Sequence, residues 1–434
     1  MARRFNDLSP RPPGPRPRPL GWREHVVRGG AVARSRVSPA AVAAMSRGLR
    51  GASVLGAPWF LKMLARPQWL FELGAPIPHR PITFTAPRPP HPSDLELCGR
   101  IIDAYRVSRE GFGELSSIWS AKVQRHYVSL DRALSSGDAR AVDEQLRWMY
   151  RRPFLNGIST PVDYEDPGAP RFWSLLTYDA LVSLAEAVGA IRAEVPEQGP
   201  VGRAFAEGID DLPARVEAKL GISLDFPRVG AAYGILVGDR LILRETGRHL
   251  HAAVRLREVA ETELPQAGEG VRVVEIGAGF GGVAMWYLRL LGDRAGNYTL
   301  VDLPLMNAFQ AYFLGAVYGA EALALNGEPH AGARIRVVPP QALAAGDVAA
   351  DLVFNQDSLP EMTEPVARGY LSWIAERVDG IFVSVNQEAG TVGQIVVGEL
   401  AGEIAGLQRV ARYPSWTRRG YVEEIYRSSG AGAR

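Results

Sequence analysis

The sequence predicts an α/β protein whose carboxyl-terminal part is a mostly parallel sheet covered by helices on both faces. Three features indicate this class. Short, β-branched apolar runs alternate with helical stretches, a glycine-rich turn follows the first run, and the last two runs are close enough to form a hairpin. Such alternation is typical of parallel sheets buried between helical layers.

The strands and helices can be assigned in order along the chain. The predicted strands are Val271–Ile276, Thr299–Leu303, Arg334–Val338, Asp351–Asp357, Gly380–Gln387, Gln408–Pro414 and Tyr421–Ser428. Helices are predicted around Leu305–Tyr318 and Glu364–Val378. The last two strands are joined by a short turn through Arg419 and Gly420, so they can pair only antiparallel. We therefore expect a seven-stranded, Rossmann-like sheet with a carboxyl-terminal antiparallel hairpin.

A glycine turn containing Gly277, Ala278, Gly279 and Gly281 separates the first strand from a helix that runs through Met285. Glycine lets the backbone turn tightly and leaves room for a ligand to approach. The unpaired N–H groups at the start of the helix face that ligand. The turn therefore predicts a nucleotide-type cofactor site.

Two cofactors compete for this turn. Gly277, Gly279 and Gly282 match the dinucleotide pattern G-x-G-x-x-G. Glu275 favours S-adenosylmethionine (SAM) instead, because a carboxylate so close repels a pyrophosphate and tolerates the cationic methionine part of SAM. Asp302 ends the second strand and can accept hydrogen bonds from ribose hydroxyls in either case. A tight strand-to-helix turn without a ligand is the third interpretation.

The segments VVEIGAGFGG, YTLVDLPLMNAFQAYFL, DLVFNQDSLPEM and VSVNQE resemble the bacterial sugar O-methyltransferase family, within the class I SAM-dependent methyltransferases. The resemblance is strongest over Val271–Glu388 and fainter upstream to about Leu95. It implies SAM as cofactor, bound also through Leu303, and methyl transfer to a sugar or glycoconjugate. Many relatives carry an acidic residue after the third strand, whereas this chain has Pro339, Pro340 and Gln341 there, which leaves the adenine contact open.

Two other functions remain compatible with the sequence. One is a methyltransferase acting on another small alcohol, a phenol or an amine. The other is a SAM-fold binding or scaffold protein that has lost catalysis. Glu275 and Asp302 together with the intact glycines favour an active enzyme, because a decayed site has no reason to keep them together.

Composition divides the chain of 434 residues into three parts: a basic arm over 1–94, a cap over 95–262 and the SAM-binding domain over 268–434. The single cysteine, Cys98, excludes an intrachain disulfide and a cysteine-based zinc site. Residues 1–94 hold fifteen Lys/Arg against four Asp/Glu, and the tract RPPGPRPRP is expected to stay extended and solvated.

The aromatic stretch Ser38–Leu73 in this arm could lie on an anionic membrane, or pack on the enzyme or on a second subunit of a homo-oligomer. No apolar run reaches the ~18 residues of a spanning helix. The arm has no ordered basic-aromatic repeat, so nucleic-acid binding is not expected. The N-terminal arginines lead into prolines rather than into the apolar core of a secretory signal, and we expect a cytoplasmic protein.

Residues 95–262 are predicted to be mostly helical. Helical periodicity indicates Leu95–Arg106, Ser117–Leu130, Asp138–Tyr150, Phe172–Ala193 and Val201–Leu220, with a break at Asp225–Gly234 before a last helix. Such a segment can close a cofactor pocket against water. Dimerisation or a scaffold role is the alternative.

Candidate catalytic groups are expected at the carboxyl ends of the strands, where ligands of open α/β sheets bind. Asn355 could contact the amino-acid part of the cofactor, and Asp357 or Glu361 could accept the proton of the acceptor hydroxyl. Each acid could instead satisfy N–H groups at a helix start.

His249 and His251 are a second source of a base. Two residues apart on a helix they point in different directions, so at most one is expected to face the pocket. His251 is the first choice for the base, because an imidazole pKa suits proton transfer at neutral pH. No metal site is predicted, since no ligand spacing is evident.

Overall fold

The computed structural model describes residue 65 and residues 80–110, 112–113, 116–152, 169–194, 197, 209–265, 270–389 and 394–430. These residues belong to one unit that spans Gly51 to Arg434. Except for Ala65, the basic arm up to residue 79 lies outside the described residues, and so do 201–208 of the helix predicted over Val201–Leu220.

The helices of the described residues divide into those before and those after the glycine turn. Before it lie α1 (Pro92–Arg109), α2 (Ser117–Lys122), α3 (Val128–Ser136), α4 (Ala139–Leu146), α5 (Ala169–Ala187), α6 (Leu212–Leu220) and α7 (Arg244–Glu263). After it lie α8 (Gly282–Leu291), α9 (Pro304–Tyr318), α10 (Gln341–Ala344), α11 (Glu364–Arg377) and α12 (Val397–Gly402). Short 3₁₀ turns cover Met149–Arg151, Gly292–Arg294, Ala320–Ala322 and Leu359–Glu361, and a π-helical turn, Val123–Tyr127, joins α2 to α3.

Eight strands of the described part of the chain form the main sheet. They are β4 (Val273–Ile276), β5 (Tyr298–Val301), β6 (Leu323–Leu325), β7 (Ile335–Val338), β8 (Leu352–Gln356), β9 (Asp379–Gln387), β10 (Leu407–Pro414) and β11 (Tyr421–Ser429). Their order is β10-β11-β9-β8-β4-β5-β7-β6. The strands from β4 to β9 pair in parallel, and β11 pairs antiparallel with both of its neighbours.

The parallel strands form where predicted because they are short, apolar and buried on both faces. Every residue of β4 and β5 is buried. One hydrophobic cluster, containing Leu300 and Phe354, packs under α8, α9 and the helices before the glycine turn. The other, containing Val274 and Leu371, packs under α11 and α12. The chain thus has the Rossmann-like α/β fold predicted from its sequence, and the carboxyl ends of β4, β5 and β8 share one edge.

One detail of the sheet differs from the prediction. Among the described residues the sheet has eight strands rather than seven, because Leu323–Leu325 adds a short edge strand beside β7. The predicted carboxyl-terminal hairpin is confirmed: β10 and β11 pair antiparallel, and β11 lies between β10 and β9. A three-residue strand carries too little periodicity to be recognised in sequence, and pairing order is decided by contacts distant in sequence.

A second, three-stranded antiparallel sheet was not predicted. It consists of β1 (Ile82–Phe84), β2 (Tyr233–Val237) and β3 (Arg240–Ile242). Because β1 pairs with β2 at Thr83↔Gly234, the arm expected over 1–94 ends earlier than its predicted boundary. The break expected over Asp225–Gly234 runs directly into β2.

The predicted helical cap shares its core with the main sheet. The rings of Tyr127 and Phe309 lie 6.1 Å apart between centroids, and those of Phe226 and Phe313 lie 5.6 Å apart. Asp138 caps α4 by accepting hydrogen bonds from the N–H groups of Arg140 and Ala141. The boundary predicted between residues 262 and 268 therefore separates two parts of one hydrophobic core. In the described ranges, no helix combines the length and apolarity that crossing a membrane would require.

Candidate functional site

A cavity of about 510 Å³ lies at the carboxyl edge of the sheet, beside the glycine turn. Its wall includes Glu275 from β4, Asp302 after β5 and the turn that follows β8. Phe112 and Trp119, from the region before the glycine turn, also line it. The volume is within the range of small-molecule sites, so this cavity is the candidate site.

The glycine turn is shaped by two close approaches. Gly277 has a φ of 73°, and a Cβ there would lie 2.0 Å from the Oγ of Ser358. A Cβ on Gly282 would lie 2.2 Å from Nδ1 of His249. No larger residue fits at either position without movement of these neighbours. Gly277, Ala278 and Gly279 line the cavity, whereas Gly281 packs against Leu314 and does not.

Glu275 lines the cavity and is only 3% exposed. Its Oε2 accepts a hydrogen bond of 2.8 Å from the hydroxyl of Tyr298. Burial raises the pKa of Glu275 to about 8, against the lowering effect of this hydrogen bond. In the described part of the chain, no cation pairs with it.

Asp302 fixes the glycine turn and lines the cavity. Its carboxylate accepts hydrogen bonds from the N–H of Leu303 at 2.8 Å, the N–H of Gly279 at 3.2 Å and the side-chain amide of Gln310 at 2.8 Å. Burial raises the pKa of Asp302 to about 7, and these donors lower it in part. Leu303 lines the cavity as well, and Gln310 is a positioning residue that sequence reasoning missed.

Asn355 lies beneath the cavity and is not part of its wall. It is fully buried; its amide nitrogen donates to the carbonyl of Ile276 at 2.9 Å and to the Oγ of Ser358. Its side-chain oxygen accepts a hydrogen bond of 2.9 Å from Asn386. The predicted contact of Asn355 with the cofactor is therefore corrected: both of its polar atoms already have protein partners, and they tie the end of β8 to the end of β4.

Asp357 and Glu361 both line the cavity, as their positions after β8 predict. Asp357 adopts a positive φ of 68° and forms an ion pair with Arg418 from the final hairpin. Glu361 accepts a hydrogen bond of 2.9 Å from Nζ of Lys122, the last residue of α2. Each acid thus has a cationic partner more than fifty residues away in sequence, which sequence reasoning did not anticipate.

The two histidines are separated as the helical geometry predicts, but their ranking is reversed. His249 lines the cavity, with its ring 5.4 Å from that of Phe280. His251 lines a separate cavity of about 10 Å³ with Arg255 and Glu423. The preference for His251 as the base is therefore corrected in favour of His249, because the rotation of α7 about its axis turns His251 away.

His249 is neutral in this environment. Burial lowers its pKa to about 4, the nearby Glu245 opposes that shift, and Arg248 adds to it. Its Nδ1 is buried and has no hydrogen-bond partner among the residues that the structure describes. The ring also packs at the start of α8, where the positive end of the helix dipole disfavours an imidazolium. A neutral imidazole can accept a proton.

The far end of the cavity is apolar and was only partly foreseen. Pro340, Gln341 and Leu343 contribute from the segment after β7, and Tyr370 and Trp373 contribute from α11. The Oε1 of Gln341 is buried without a hydrogen-bond partner in the described ranges. Gln341 lies after β7, where many relatives of the resembled family carry an acidic residue.

Among the described residues, no group of three or more His, Cys, Asp and Glu side chains is arranged to hold a metal ion.

The fold and the cavity together define an α/β protein with a small-molecule-sized cavity beside a glycine turn. No family model matches the sequence, and no curated protein matches it. Solved structures similar to parts of it include the magnesium protoporphyrin IX methyltransferase of Synechocystis PCC 6803 with bound SAM. That similarity has 14% identity and a TM-score of 0.30, and covers 42% of this chain and 83% of that one.

Two further similarities have comparable values. A protein of Galdieria sulphuraria assigned as a sarcosine dimethylglycine methyltransferase shares 12% identity, with a TM-score of 0.32 over 43% of this chain and 88% of that one. The fibrillarin pre-rRNA processing protein of Methanococcus jannaschii shares 12% identity, with a TM-score of 0.27 over 38% of this chain and 68% of that one. Similarities this weak identify no activity, which has to be argued from the site.

Proposed function

We propose that the protein is a SAM-dependent methyltransferase that transfers a methyl group to a sugar hydroxyl. The observation that carries the proposal is the pair of buried carboxylates at the glycine turn, Glu275 and Asp302, which have no cationic partner in the described residues. SAM carries positive charge on its sulfonium and amino groups, whereas a dinucleotide carries a negative pyrophosphate. Two buried carboxylates attract the first ligand and repel the second.

The remaining cavity residues suit the neutral parts of this cofactor. Asp302 can accept hydrogen bonds from ribose hydroxyls while it holds Gly279 and Leu303. The unpartnered Oε1 of Gln341 can accept the exocyclic amino group of adenine, with Leu343 and Trp373 contributing apolar surface. This contact would replace the acidic residue that many methyltransferases carry after the third strand.

The chain contributes alignment, exclusion of water and a proton acceptor to the transfer. Glu275, Asp302 and the glycine turn would hold SAM, which would supply an electrophilic methyl group and retain the electron pair of the broken S–C bond on its sulfur. Phe112 and Trp119 contribute apolar surface to the cavity wall, which helps to exclude water and strengthens electrostatic interactions inside the cavity. His249 is the neutral group positioned to accept the hydroxyl proton. The low pKa of His249 suffices for this proton transfer, because the acceptor hydroxyl becomes more acidic as its oxygen gains positive charge during methyl transfer.

Three features support a sugar as the acceptor. The side chains of Gln356, Asp357 and Ser358 offer hydrogen bonds along one wall, as a polyhydroxylated ligand requires. Trp119 supplies an aromatic surface on which the C–H face of a sugar can pack. The sequence resemblance to sugar O-methyltransferases supports the same class, and a cytoplasmic enzyme would meet SAM and soluble sugars together.

The cofactor is tested by calorimetry on the purified full chain with SAM, its demethylated product and NAD. We expect SAM to bind, and Asp302→Ala to weaken binding by about 1–3 kcal/mol through lost hydrogen bonds to a charged acceptor. Asp379→Ala, an exposed acid at the start of β9, is the matched control and should bind as the wild type does. Tighter binding of NAD than of SAM would overturn the cofactor assignment.

The acceptor is tested with isotope-labelled methyl groups. The enzyme and labelled SAM are incubated separately with sugars, nucleotide sugars, phenols and amines, and each product is then treated with mild alkali. A sugar methyl ether keeps its label under these conditions, whereas a methyl ester loses it. Transfer to phenols or amines, with sugars unlabelled, would leave the methyltransferase assignment intact and refute the sugar acceptor.

A further inference from the structure

Three arginines cluster beside the candidate site. Arg244 and Arg248 are four residues apart on α7, so they occupy the same face of the helix. Arg418, from the turn between β10 and β11, acts electrostatically on both. Burial lowers the pKa of Arg248, and the positive charges of Arg244 and Arg418 lower it further. Like charges gathered in a buried position repel one another unless an anion compensates them.

The charges of this cluster do not balance among the described residues. The carboxylates that act on the three guanidinium groups are Glu245 and Asp357, and Asp357 already forms its ion pair with Arg418. Nε and Nη1 of Arg244 and Nε of Arg248 are buried without a hydrogen-bond partner in the described ranges. Unpaired, buried donors on charged groups are costly, and planar guanidinium groups match the geometry of oxyanions.

The cluster adjoins the cavity on the side of the proposed base. Arg248 precedes His249 on α7, and His249 lines the cavity. Arg248 itself lines the small cavity that shares Gln356 with the main one. Asp357, the ion-pair partner of Arg418, lines the main cavity as well. An anionic group held by these arginines would therefore lie next to the position of the acceptor hydroxyl.

We propose that Arg244, Arg248 and Arg418 bind an oxyanion carried by the methyl acceptor, a phosphate or a carboxylate attached to the sugar. The assignment of this oxyanion to the acceptor rests on the proposed function, whereas the binding of an anion to the cluster does not. The site would select charged sugars over neutral ones and anchor them beside His249. Such anchoring aligns a hydroxyl for in-line attack.

A purely structural role for the arginines makes the opposite prediction about stability. The guanidinium carbon of Arg244 lies 4.6 Å from the ring centroid of Trp173, a cation–π contact that could stabilise the fold. If structure were the only role, removing a charge from the cluster would lower the melting temperature. If the cluster is an anion site, removing one charge relieves repulsion, and the ligand-free protein becomes more stable.

The test is thermal unfolding of the full chain with inorganic phosphate, pyrophosphate or D-glucuronate, with sodium chloride keeping the ionic strength constant. We expect at least one anion to raise the Tm of the wild type by about 2–4 °C. In Arg248→Gln, the ligand-free Tm should equal or exceed that of the wild type, and the response to anions should be lost. Arg244→Gln should behave in the same way, which covers the case in which one variant folds poorly.

Arg257→Gln is the matched control. Arg257 is on the same helix and also has a buried, unpartnered Nε, but it lies near Glu261, at 3.8 Å, and outside the cluster. This variant should keep the wild-type response to anions. A response to phosphate or pyrophosphate indicates a phosphorylated or nucleotide-linked acceptor, and a response to glucuronate alone indicates a uronic acid.

Two results would overturn the anion site: a wild type that responds to none of the three anions, or an Arg248→Gln variant that responds as Arg257→Gln does. SAM binding is measured by calorimetry on the same samples. Loss of SAM binding with an intact anion response would refute the proposed function alone. SAM binding without an anion response would refute this inference alone.

Discussion

Two pairs of carboxylates line the same cavity, and they differ in burial and in whether a cation pairs with them. Glu275 and Asp302, at the ends of β4 and β5, are 3% and 9% exposed, and their hydrogen-bond donors are neutral. Asp357 and Glu361, after β8, have side chains that are 44% and 29% exposed, and each forms an ion pair, with Arg418 and Lys122 respectively. Burial raises the pKa of Glu275 to about 8 and that of Asp302 to about 7.

The difference assigns different roles to the two pairs. A buried carboxylate without a cation destabilises the folded protein, so the first pair is suited to a ligand that brings positive charge. The second pair already has its cations, which belong to the final hairpin and to the region before the glycine turn. We infer that Asp357 and Glu361 fasten the elements around the cavity and that neither is the base. His249 then remains as the proton acceptor.

The first prediction concerns that base and has the largest expected effect. His249→Gln should lower kcat by about 100- to 10,000-fold, the usual contribution of a general base, while SAM affinity stays near that of the wild type. Single-turnover methyl transfer with a sugar acceptor, together with SAM calorimetry, measures both quantities. His251→Gln is the matched control on the same helix and should retain activity within about threefold of wild type.

The roles assigned to the two pairs would be wrong if Asp357 or Glu361 carried the catalysis instead of His249. Asp357→Asn or Glu361→Gln would then lower kcat by the factor predicted for His249→Gln, and His249→Gln would have little effect. The pKa of His249 is about 4, so its loss of protonation is complete well below neutral pH and kcat should be flat above about pH 6.

The second prediction tests the contact between the two pairs, where the turn after β4 meets the turn after β8. In Gly277→Ala, the new Cβ would lie 2.0 Å from Oγ of Ser358, and the φ of 73° disfavours any Cβ. We expect a loss of about 2–5 kcal/mol in the free energy of unfolding, from left-handed strain and overpacking together. Denaturant unfolding measures the loss.

A control and a rescue isolate the steric part of this effect. Gly221→Ala has the same positive φ of 73°, in the left-handed region, with open space around it, so it should lose only about 1–2 kcal/mol. Adding Ser358→Gly to Gly277→Ala removes the clashing side chain and should recover part of the stability. If Gly277→Ala and Gly221→Ala are equally destabilised, the turn after β4 and the turn after β8 are not in close contact.

How far the sequence predicted this arrangement depends on the range of the interactions. The parallel strands and the glycine turn follow from local apolar runs and from glycine, so they were recognised, as was the exclusion of one histidine from the pocket. The rotation of α7 about its own axis cannot be read from local sequence patterns. Packing of α7 on α5 and α8 decides this rotation, and the rotation places His249 rather than His251 at the cavity. They also do not contain the pair Lys122–Glu361, whose residues are 239 positions apart.

The small antiparallel sheet was missed for the same reason. Its strand β1 has three residues and pairs with β2 across about 150 residues of chain, so no local periodicity marks it. Asn355 is a different case. Its position at the end of β8 was predicted correctly, but whether a buried amide meets ligand or protein depends on Asn386 and Ser358, which only the folded chain brings together.

The third prediction uses the raised pKa values of Glu275 and Asp302, the two acids that have no cationic partner in the described residues. Below about pH 7 both carboxyls are protonated in the ligand-free protein, while in the unfolded chain they ionise near their ordinary values of 4.5 and 3.8. The folded state therefore binds more protons between about pH 4 and pH 8, and this pair lowers stability as pH rises through that window.

Binding of a cation reverses this preference, because it favours the ionised carboxylates and releases protons. SAM affinity should thus rise between pH 6 and pH 8, by at most about tenfold per pH unit for each proton released. Calorimetry in two buffers of different ionisation enthalpy counts the protons. Glu275→Gln should reduce the number released, and Glu361→Gln should not. Equal proton release in the wild type and Glu275→Gln would show that Glu275 is not the titrating group.

The last prediction concerns the ion pair of Lys122 and Glu361 and has the smallest expected effect. The Nζ–Oε2 distance is 2.9 Å, and the side chains are 21% and 29% exposed, so solvent screens much of their attraction. Nζ also lies 4.5 Å from the ring centroid of Trp119, which lines the cavity.

Lys122→Met keeps most of the apolar stem and should lower the free energy of unfolding by only about 0.2–1 kcal/mol. Because Trp119 then loses a neighbour that holds it over the cavity, we expect KM for the acceptor to rise while kcat stays near wild type. Glu361→Gln should produce the same changes, the double variant should be no worse than either single one, and 0.5 M sodium chloride should shrink all three effects. A Glu361→Gln variant that loses kcat while Lys122→Met keeps it would instead make Glu361 a proton acceptor, and the two pairs of acids would no longer differ in the way the ion pairs indicate.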